Sequence, residues 1–237
     1  EGREDCRILL AVESGSRAWG FASPDSDYDV RFIYVRPRES YLRLNRLRDV
    51  IELPADDVLD INGWDLDKTL RLLYKSNPTV FEWFSSPLVY QTTPFAETFK
   101  SVMRCYFLSK SSLWHYLHMA DGNYRESLRG GTVKAKKYFY VLRPVLACRW
   151  ILERETPPPM LFSELAESQL PEYLEDTVRE LLELKINAPE IQMIPRIDIL
   201  NEYLEQSIVE IGELVRQYPK ESPQDWAELN SLFLSAL

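Results

Sequence analysis

A short connection between two predicted strands constrains this chain more than any other part of its sequence. Residues 8–12 and 28–35 are rich in apolar, β-branched and aromatic residues, and the connection between them contains Gly15-Ser16 and ends in Asp27-Tyr28-Asp29. Residues two positions apart on a strand point to the same face, so the two aspartates are predicted to share one face. Two carboxylates that close repel each other unless a cation lies between them. Hard divalent ions such as Mg²⁺ take such oxygen ligands and complete their shell with water and substrate phosphates.

Gly15 and Ser16 supply the other half of the predicted site. Glycine lets the backbone approach a ligand closely, and serine offers a hydroxyl and a backbone N–H. A helix that begins at Ser16 would also direct its N-terminal amides at an anion. A carboxylate pair that faces a phosphate cradle indicates phosphoryl or nucleotidyl transfer. The alternative is a β-turn whose Asp and Ser side chains lie in solvent and do no chemistry.

The order strand, Gly-Ser, short loop, Asp-x-Asp and apolar strand resembles the DNA polymerase β-type nucleotidyltransferase superfamily. The fuller sequence of residues 13–32, ESGSRAWGFASPDSDYDVRF, is more similar still to a bacterial family of predicted nucleotidyltransferases that is named for its association with an RNA ligase. The resemblance implies an enzyme that moves a nucleoside monophosphate from a nucleoside triphosphate (NTP) to an acceptor hydroxyl. It also implies two Mg²⁺ ions, which Mn²⁺ could replace, and no protein nucleophile.

The resemblance assigns the catalytic and metal-binding roles to Asp27, Asp29 and a third carboxylate on a later strand. Asp60 is the candidate for the third position, because residues 58–62 alternate between apolar and polar as a half-buried strand does. Asp57 and Asp65 are alternatives, although both resemble turn or helix-start residues. If Asp60 instead faces solvent on an edge strand, it has no catalytic role.

The apolar spacing changes after residue 63 from the two-residue repeat of strands to the three-to-four-residue repeat of helices. The prediction is an α+β fold, in which a small mixed-sheet, polymerase β-like catalytic domain at residues 1–64 precedes an all-helical domain at residues 65–237 that closes over the nucleotide. The resemblance to the bacterial family continues through residues 63–87 and 136–144, whereas the last third matches in helical character only. Helices are predicted at residues 65–74, 94–108, 110–119, 132–153, 163–167, 171–184, 197–217 and 224–236, and a further helix opens at residue 78 and stops before residue 87.

One face of the helix predicted at residues 132–153 carries Lys136, Tyr140 and Arg143 at positions i, i+4 and i+7. A cation, a phenol and a guanidinium on one face can hold a triphosphate. In related nucleotidyltransferases, basic and aromatic residues of the helical domain close over the nucleotide, so these three residues are predicted to bind it. The alternative is a solvated basic face.

Two further basic residues are predicted to contact the nucleotide. Arg17 follows Ser16 and could reach a phosphate, or it could form a surface ion pair with Glu13. Lys68 lies in the segment that resembles the bacterial family and is assigned a contact with phosphate or substrate.

Composition limits the partners of the chain. The net charge of −9 argues against a long nucleic-acid track but leaves room for a short RNA end or a protein. The sequence contains no run of 18 apolar residues, so no membrane association is expected. Cys6, Cys105 and Cys148 show neither zinc nor disulfide spacing, which predicts packing residues in a reducing cytoplasm.

The sequence leaves the acceptor of the nucleotidyl group open. The family name suggests an RNA end in RNA repair, with an RNA ligase as an associated protein. A protein hydroxyl, adenylylated within a toxin–antitoxin pair, and a small-molecule hydroxyl are the enzymatic alternatives. A non-catalytic nucleotide-binding module is the rival from a different class, but degenerate copies of this fold usually lose a carboxylate, and both motif aspartates are present here.

Overall fold

The computed structural model describes residues 1–2, 4–54, 58–187, 192–222 and 225–237. The chain divides into two compact units, and neither unit is continuous in sequence. The first unit contains Glu1–Ala18, Asp27–Leu108 and Ser222–Leu237. The second contains Trp19–Ser26 and Ser109–Glu221.

Strands and helices are numbered here in chain order. The strands are β1 (Arg7–Glu13), β2 (Tyr28–Val35), β3 (Val50–Glu52), β4 (Leu59–Asp65), β5 (Val89–Thr92), β6 (Thr132–Lys134) and β7 (Met193–Pro195). The helices are α1 (Gly15–Ala18), α2 (Arg38–Tyr41), α3 (Leu66–Tyr74), α4 (Pro78–Phe84), α5 (Pro94–Met103), α6 (Ser109–Ser127), α7 (Ala135–Arg154), α8 (Phe162–Gln169), α9 (Glu175–Asn187), α10 (Asp198–Gln217) and α11 (Ala227–Ala236). No helix within the described part of the chain is long and apolar enough to cross a membrane.

The first unit is built on one mixed sheet with the strand order β3-β4-β2-β1-β5. Strand β2 runs parallel to β4 and antiparallel to β1, and the edge strands β3 and β5 are antiparallel to their neighbours. The second half of β2, residues 32–35, is buried, as expected for a strand at the centre of a sheet. The predicted α+β fold with a mixed sheet is therefore confirmed, and β2 has the predicted bounds.

Alternate residues of β2 pack on opposite faces of the sheet. Ile33 and Val35 join a large apolar cluster, whereas Phe32 and Tyr34 join a smaller cluster on the other face. The large cluster is completed by α3, α4, α5 and α11, whose apolar residues recur at helical spacing and cover the sheet. Its largest contributors from these helices include Leu66, Leu70, Leu73, Phe81, Trp83, Phe84, Phe99, Leu229 and Leu232.

The local sequence explains where α3 and α4 begin. Asp65 caps α3 by accepting a hydrogen bond from the backbone N–H of Asp67 (2.9 Å), and Asn77 caps α4 by accepting one from Thr79 (2.9 Å). Pro78 occupies the first turn of α4, where its missing N–H costs nothing. Burial raises the pKa of the Asp65 carboxyl group to about 6, although the Asp67 N–H bond opposes this effect.

Helix α7 is the most buried element of the second unit. Most of its residues between 138 and 151 are buried, and Pro144 lies inside the helix without ending it. The segment Trp19–Ser26 belongs to this unit, because Phe21 packs its ring 4.9 Å from the ring of Phe139 and 5.6 Å from that of Phe162.

Several helix bounds differ from the predicted ones, and three further differences concern the organisation and packing of the chain. The first unit does not end at residue 64, because α3, α4, α5 and α11 bury their apolar faces on its sheet. Residues 132–134 form β6, which pairs with β7, so the helix predicted from residue 132 begins at Ala135. Cys148 is buried as predicted, but Cys105 is exposed and is therefore not a packing residue.

Truncation of Trp83 tests the packing of α4 on the sheet. Trp83 is only 4% exposed, and its ring lies 4.0 Å from that of Trp64. We expect Trp83→Ala to lower the free energy of unfolding by about 3–5 kcal/mol, measured by urea denaturation with circular dichroism. The control Tyr173→Ala removes a ring that is 62% exposed and should change it by less than about 0.5 kcal/mol. Equal losses in the two variants would contradict this packing.

Candidate functional site

The predicted carboxylates meet where β2 and β4 begin. These strands are parallel and in register, so Asp29 lies beside Asp60 and Arg31 lies beside Asn62. Residues in register on neighbouring strands point to the same face of a sheet, which brings the Asp29 and Asp60 side chains together. Asp27 precedes β2 by one residue, and its charge acts on the Asp29 carboxyl group. The structure therefore assembles all three predicted acids at one end of the sheet.

Arg31 joins the carboxylates of the two strands. Its Nη2 donates to Oδ1 of Asp29 and to Oδ2 of Asp60, each at 2.8 Å. Its Nη1 donates to the backbone carbonyls of Asp60 (3.0 Å) and Val30 (3.2 Å). The sequence singled out both aspartates but not this arginine, since the pattern of a strand shows which residues share a face and not which of them pair.

The charge of Asp29 is unfavourable in the folded chain. Burial raises the pKa of its carboxyl group to about 6, and the Arg31 guanidinium opposes this rise without cancelling it. The negative charges of Asp27, Asp60 and Glu13 add to the rise. A second positive charge near Asp29 would therefore be stabilised by the local electrostatic potential.

Gly15 packs directly against the Asp29 carboxylate. Its φ is +60°, in the left-handed region, and a Cβ at this position would lie 2.0 Å from Oδ2 of Asp29. Both the backbone conformation and the space thus require glycine. The neighbouring Ser16 is buried, with 7% exposure.

Glu13 is a buried carboxylate that the sequence did not assign to the site. It is fully buried, and its Oε1 accepts a hydrogen bond from the backbone N–H of Asp29 (2.8 Å). Its Oε2 accepts one from the hydroxyl of Tyr90. The backbone N–H of Ser14 also donates to the carbonyl of Asp29 (2.9 Å). Together these bonds fix the backbone of Asp29 against the end of β1, and the only sequence signal is a charged residue directly after an apolar strand.

Arg17 lies beside the same motif. Its Nε donates to the backbone carbonyl of Asp27 (3.0 Å), and its guanidinium lies 3.8 Å from the centre of the Tyr28 ring. These contacts place Arg17 on the Asp-x-Asp segment, and its role in phosphate binding stays a prediction.

The donor chemistry of this site fits a hard divalent cation, but the site is not preformed. Asp27, Asp29 and Asp60 offer carboxylate oxygens, and the missing side chain of Gly15 lets its backbone lie directly against the Asp29 carboxylate. Among the residues that the structure describes, however, no three His, Cys, Asp or Glu side chains are arranged to hold a metal ion. The guanidinium of Arg31 stands between two of the three acids.

Lys68 is not brought to the carboxylates. It follows the far end of β4, where its Nζ pairs with Oδ1 of Asp49 at 3.4 Å. Asp60 and Asp65 are five residue steps apart along β4, a length of about 17 Å at the rise of a strand. Of the two alternatives for the third carboxylate, Asp65 caps α3, and Asp57 lies outside the described residues.

The predicted nucleotide-binding residues of α7 belong to the second unit. Lys136 and Tyr140 are partly exposed, whereas Arg143 is 2% exposed. The Arg143 guanidinium lies 4.8 Å from the centre of the Trp19 ring, and its Nη2 donates to the carbonyl of Met160 (3.4 Å). The Tyr140 ring lies 5.7 Å from the Trp19 ring, so Tyr140 and Arg143 share a face as predicted. In the second unit that face is covered by Trp19 and is not a freely solvated basic surface.

Substitution of Gly15 tests its packing against Asp29. Gly15→Ala introduces a Cβ in a left-handed conformation and displaces the Asp29 carboxylate, so we expect a loss of about 1–2 kcal/mol in the free energy of unfolding. Gly122→Ala is the matched control, because it lies inside α6 with no atom within 4 Å of the added Cβ. It should stabilise the chain by about 0.5–1 kcal/mol. A neutral or stabilising effect of Gly15→Ala, measured by thermal and urea denaturation, would contradict the described geometry.

A known protein family and individual known proteins are similar to this chain. The sequence model of the RNA repair pathway DNA polymerase beta family matches residues 1–235. The protein YcgL of Bacillus subtilis (strain 168) is 46% identical over 233 residues, which are 98% of this chain and 90% of that protein. A crystal structure of a nucleotidyltransferase-like protein from Exiguobacterium sibiricum 255-15 matches with a TM-score of 0.31 and 14% identity, over 91% of this chain and 70% of that one. By the extent of the family match, this chain belongs to the RNA repair pathway DNA polymerase beta family.

Proposed function

We propose that this protein is a metal-dependent nucleotidyltransferase that moves a nucleoside monophosphate from an NTP to an acceptor hydroxyl. The observation that carries the proposal is the register of the two parallel strands, which holds Asp29 beside Asp60 with Asp27 next to them. Membership of a polymerase beta family supports the same reaction class.

The acidic residues and the Gly-Ser segment have separate roles in this proposal. Asp27, Asp29 and Asp60 would hold Mg²⁺ or Mn²⁺, which supplies charge stabilisation for the attacking and leaving oxygens when bound. Gly15 lets the backbone approach the β- and γ-phosphates, and Ser16 contributes polar groups beside it. The acceptor oxygen forms a bond to the α-phosphorus while the bond to the β-phosphate breaks. Pyrophosphate leaves with that electron pair, and the hydroxyl proton passes to solvent.

The remaining predicted nucleotide contacts differ in how well they suit this role. Arg17 lies on the Asp-x-Asp segment and stays a candidate for the triphosphate. Lys136 and Tyr140 are partly exposed in the second unit, and their contact with the nucleotide stays a prediction. Arg143 supports the position of Trp19 through its stacked guanidinium. Lys68 is a weaker candidate, because Asp49 pairs with it away from the acids.

A basic segment favours RNA as the acceptor. Residues 36–48 contain five arginines and a single acidic residue, Glu39, in a chain with a net charge of −9. Arg38, Arg43 and Arg46 are exposed, and within the described ranges they form no ion pair. Unpaired arginines on an exposed segment attract phosphates. This segment follows the end of β2 opposite to Asp29, so it would contact an RNA chain at a distance from the acids. The description of the family as part of RNA repair agrees with RNA as the acceptor.

One observation favours a second candidate, a non-catalytic nucleotide-binding module. The Arg31 guanidinium already partly neutralises Asp29 and Asp60, as it would in a protein that has no use for metal ions. Turnover separates the two candidates, because a module would bind NTP without releasing pyrophosphate.

The reaction is tested by incubating the full chain with α-labelled NTPs, Mg²⁺ and separate pools of RNA and protein. The proposal predicts metal-dependent release of pyrophosphate and transfer of label to RNA. Label on protein would support the adenylylating alternative, and NTP binding without pyrophosphate release in any pool would support the module.

Asp29→Asn tests the role of the three neighbouring acids, Asp27, Asp29 and Asp60. Because the folded pKa of Asp29 is about 6 and its ordinary value is 3.8, the folded state binds the proton more tightly than the unfolded state. The associated stability is present below pH 4 and is lost as the pH rises through about 6. Without metal, the variant should therefore equal the parent at about pH 3, below both pKa values, and exceed it by about 1–2 kcal/mol at pH 8, a figure reduced for partial solvent exposure.

The same variant should lose metal-dependent transfer by about 100-fold or more, because a carboxylate charge that gathers the cations is gone. Asp67→Asn is the control, since the Asp67 side chain is partly exposed, pairs with Arg71 and should leave transfer unchanged. An Asp29→Asn protein that is less stable than the parent at pH 8 and still transfers nucleotide would show that Asp29 is only a structural ion-pair partner.

A further inference from the structure

The contacts of Arg31 affect how the acidic edge, formed by Asp27, Asp29 and Asp60 where β2 and β4 begin, binds a metal ion. A single nitrogen of its guanidinium lies 2.8 Å from one carboxylate oxygen on each of two neighbouring strands. A divalent cation shared by Asp29 and Asp60 would use the same two side chains. The guanidinium and such a cation would therefore compete for these two carboxylates, because both are positively charged and would have to share the same small space.

The burial of Arg31 and Asp29 strengthens the competition between the guanidinium and a metal ion. The Arg31 side chain is 17% exposed and that of Asp29 is 22% exposed, so their interaction is screened less than that of a surface pair. The bond from Nη1 to the Asp60 carbonyl holds the guanidinium plane in place. The acidic groups whose charges act on Asp29 are Asp27, Asp60 and Glu13, and Arg31 is the cation in direct contact with it.

Asn62 offers the guanidinium a second position. It lies beside Arg31 in the β2–β4 register, on the same face of the sheet. Its Nδ2 donates to Oε1 of Glu52 (3.4 Å), which orients the amide. Within the part of the chain that the structure describes, its Oδ1 is buried and accepts no hydrogen bond. A buried acceptor without a donor is costly, and a guanidinium that leaves the two aspartates would satisfy it.

We propose that Arg31 is an internal counter-cation that alternates between the Asp29–Asp60 pair and Asn62, so that a divalent cation binds the acidic edge only when Arg31 has left it. This inference rests on the proposed function, because it assumes that the acids hold metal ions. In the metal-free protein Arg31 partly offsets the repulsion between the acids. In the metal-bound protein the cation takes over that role, which makes Arg31 a positioning residue that sets metal affinity.

The test is calorimetric titration of Mn²⁺ into the full chain without nucleotide. Arg31→Met removes the competing charge, and we expect it to bind Mn²⁺ about 10-fold more tightly than the parent, a difference equivalent to about 1.4 kcal/mol. Arg71→Met is the matched control, because it removes the same charge from an exposed arginine that pairs with Asp67. The control should bind Mn²⁺ as the parent does, which separates local competition from the change in net charge.

Two further variants keep the test decisive. Arg31→Lys retains the charge but lacks the second nitrogen that bonds the Asp60 carbonyl, so its affinity should lie between those of the parent and Arg31→Met. It replaces Arg31→Met if circular dichroism shows that the latter is unfolded. Asn62→Val removes the second acceptor and should weaken Mn²⁺ binding relative to the parent, because the displaced Arg31 guanidinium then lacks a hydrogen-bond acceptor in its second position.

The outcomes show whether this inference fails alone or together with the proposed function. Equal Mn²⁺ affinity in the parent, Arg31→Met and Arg31→Lys would overturn the role of Arg31 and leave metal-dependent transfer intact. Absence of Mn²⁺ binding in every variant, with or without NTP, would overturn both, since the acids would then form a purely structural ion-pair cluster. Tighter binding in Arg31→Met, an intermediate affinity in Arg31→Lys and an unchanged affinity in Arg71→Met would support the inference.

Discussion

The parallel pairing of β2 with β4 is the constraint on which the candidate site depends. A parallel pair keeps both strands starting at the same end of the sheet, so acids near the start of each strand become neighbours. The register is held further along by Gly63, where a Cβ would lie 2.2 Å from the ring of Phe32. The glycine makes room for that ring, and the same alignment sets Asp60 beside Asp29. A slip of one residue would turn Asp60 to the opposite face.

The acidic edge is held together against its own repulsion. Burial disfavours the Asp29 charge, and three other acids act on it. The apolar cluster beneath the sheet keeps β2 in place, together with the Asp29 N–H bond to the Glu13 carboxylate and the Ser14 N–H bond to the Asp29 carbonyl. The strain is therefore not relieved by movement of the strand. The negative electrostatic potential of these acids attracts a divalent cation. The positive charge of Arg31 neutralises part of that potential.

The sequence predicted the elements whose signals are local. Asp60 was predicted as the third carboxylate because residues 58–62 alternate between apolar and polar. The bounds of β2 were predicted because the Asp-x-Asp motif leads directly into an apolar stretch. Arg31 and Glu13 were missed as site residues, because their roles arise from pairing between strands and from burial. The exposure of Arg143 was misjudged for a similar reason, since helical spacing shows which residues share a face, whereas the cover provided by Trp19 comes from a segment far away in sequence. Strand β5 was not predicted. It is exposed along its whole length and therefore lacks the alternation that marks a half-buried strand.

The most direct test of the account is a crystal structure of the full chain grown with Mn²⁺ and a non-hydrolysable NTP, with anomalous scattering to locate the metal. The account predicts an anomalous peak between Asp29 and Asp60, the phosphates of the nucleotide beside Gly15 and Ser16, and the Arg31 guanidinium moved from the acids to Asn62. If Arg31 stays on both aspartates while metal and nucleotide bind elsewhere or not at all, the acidic edge is not a metal-dependent catalytic centre.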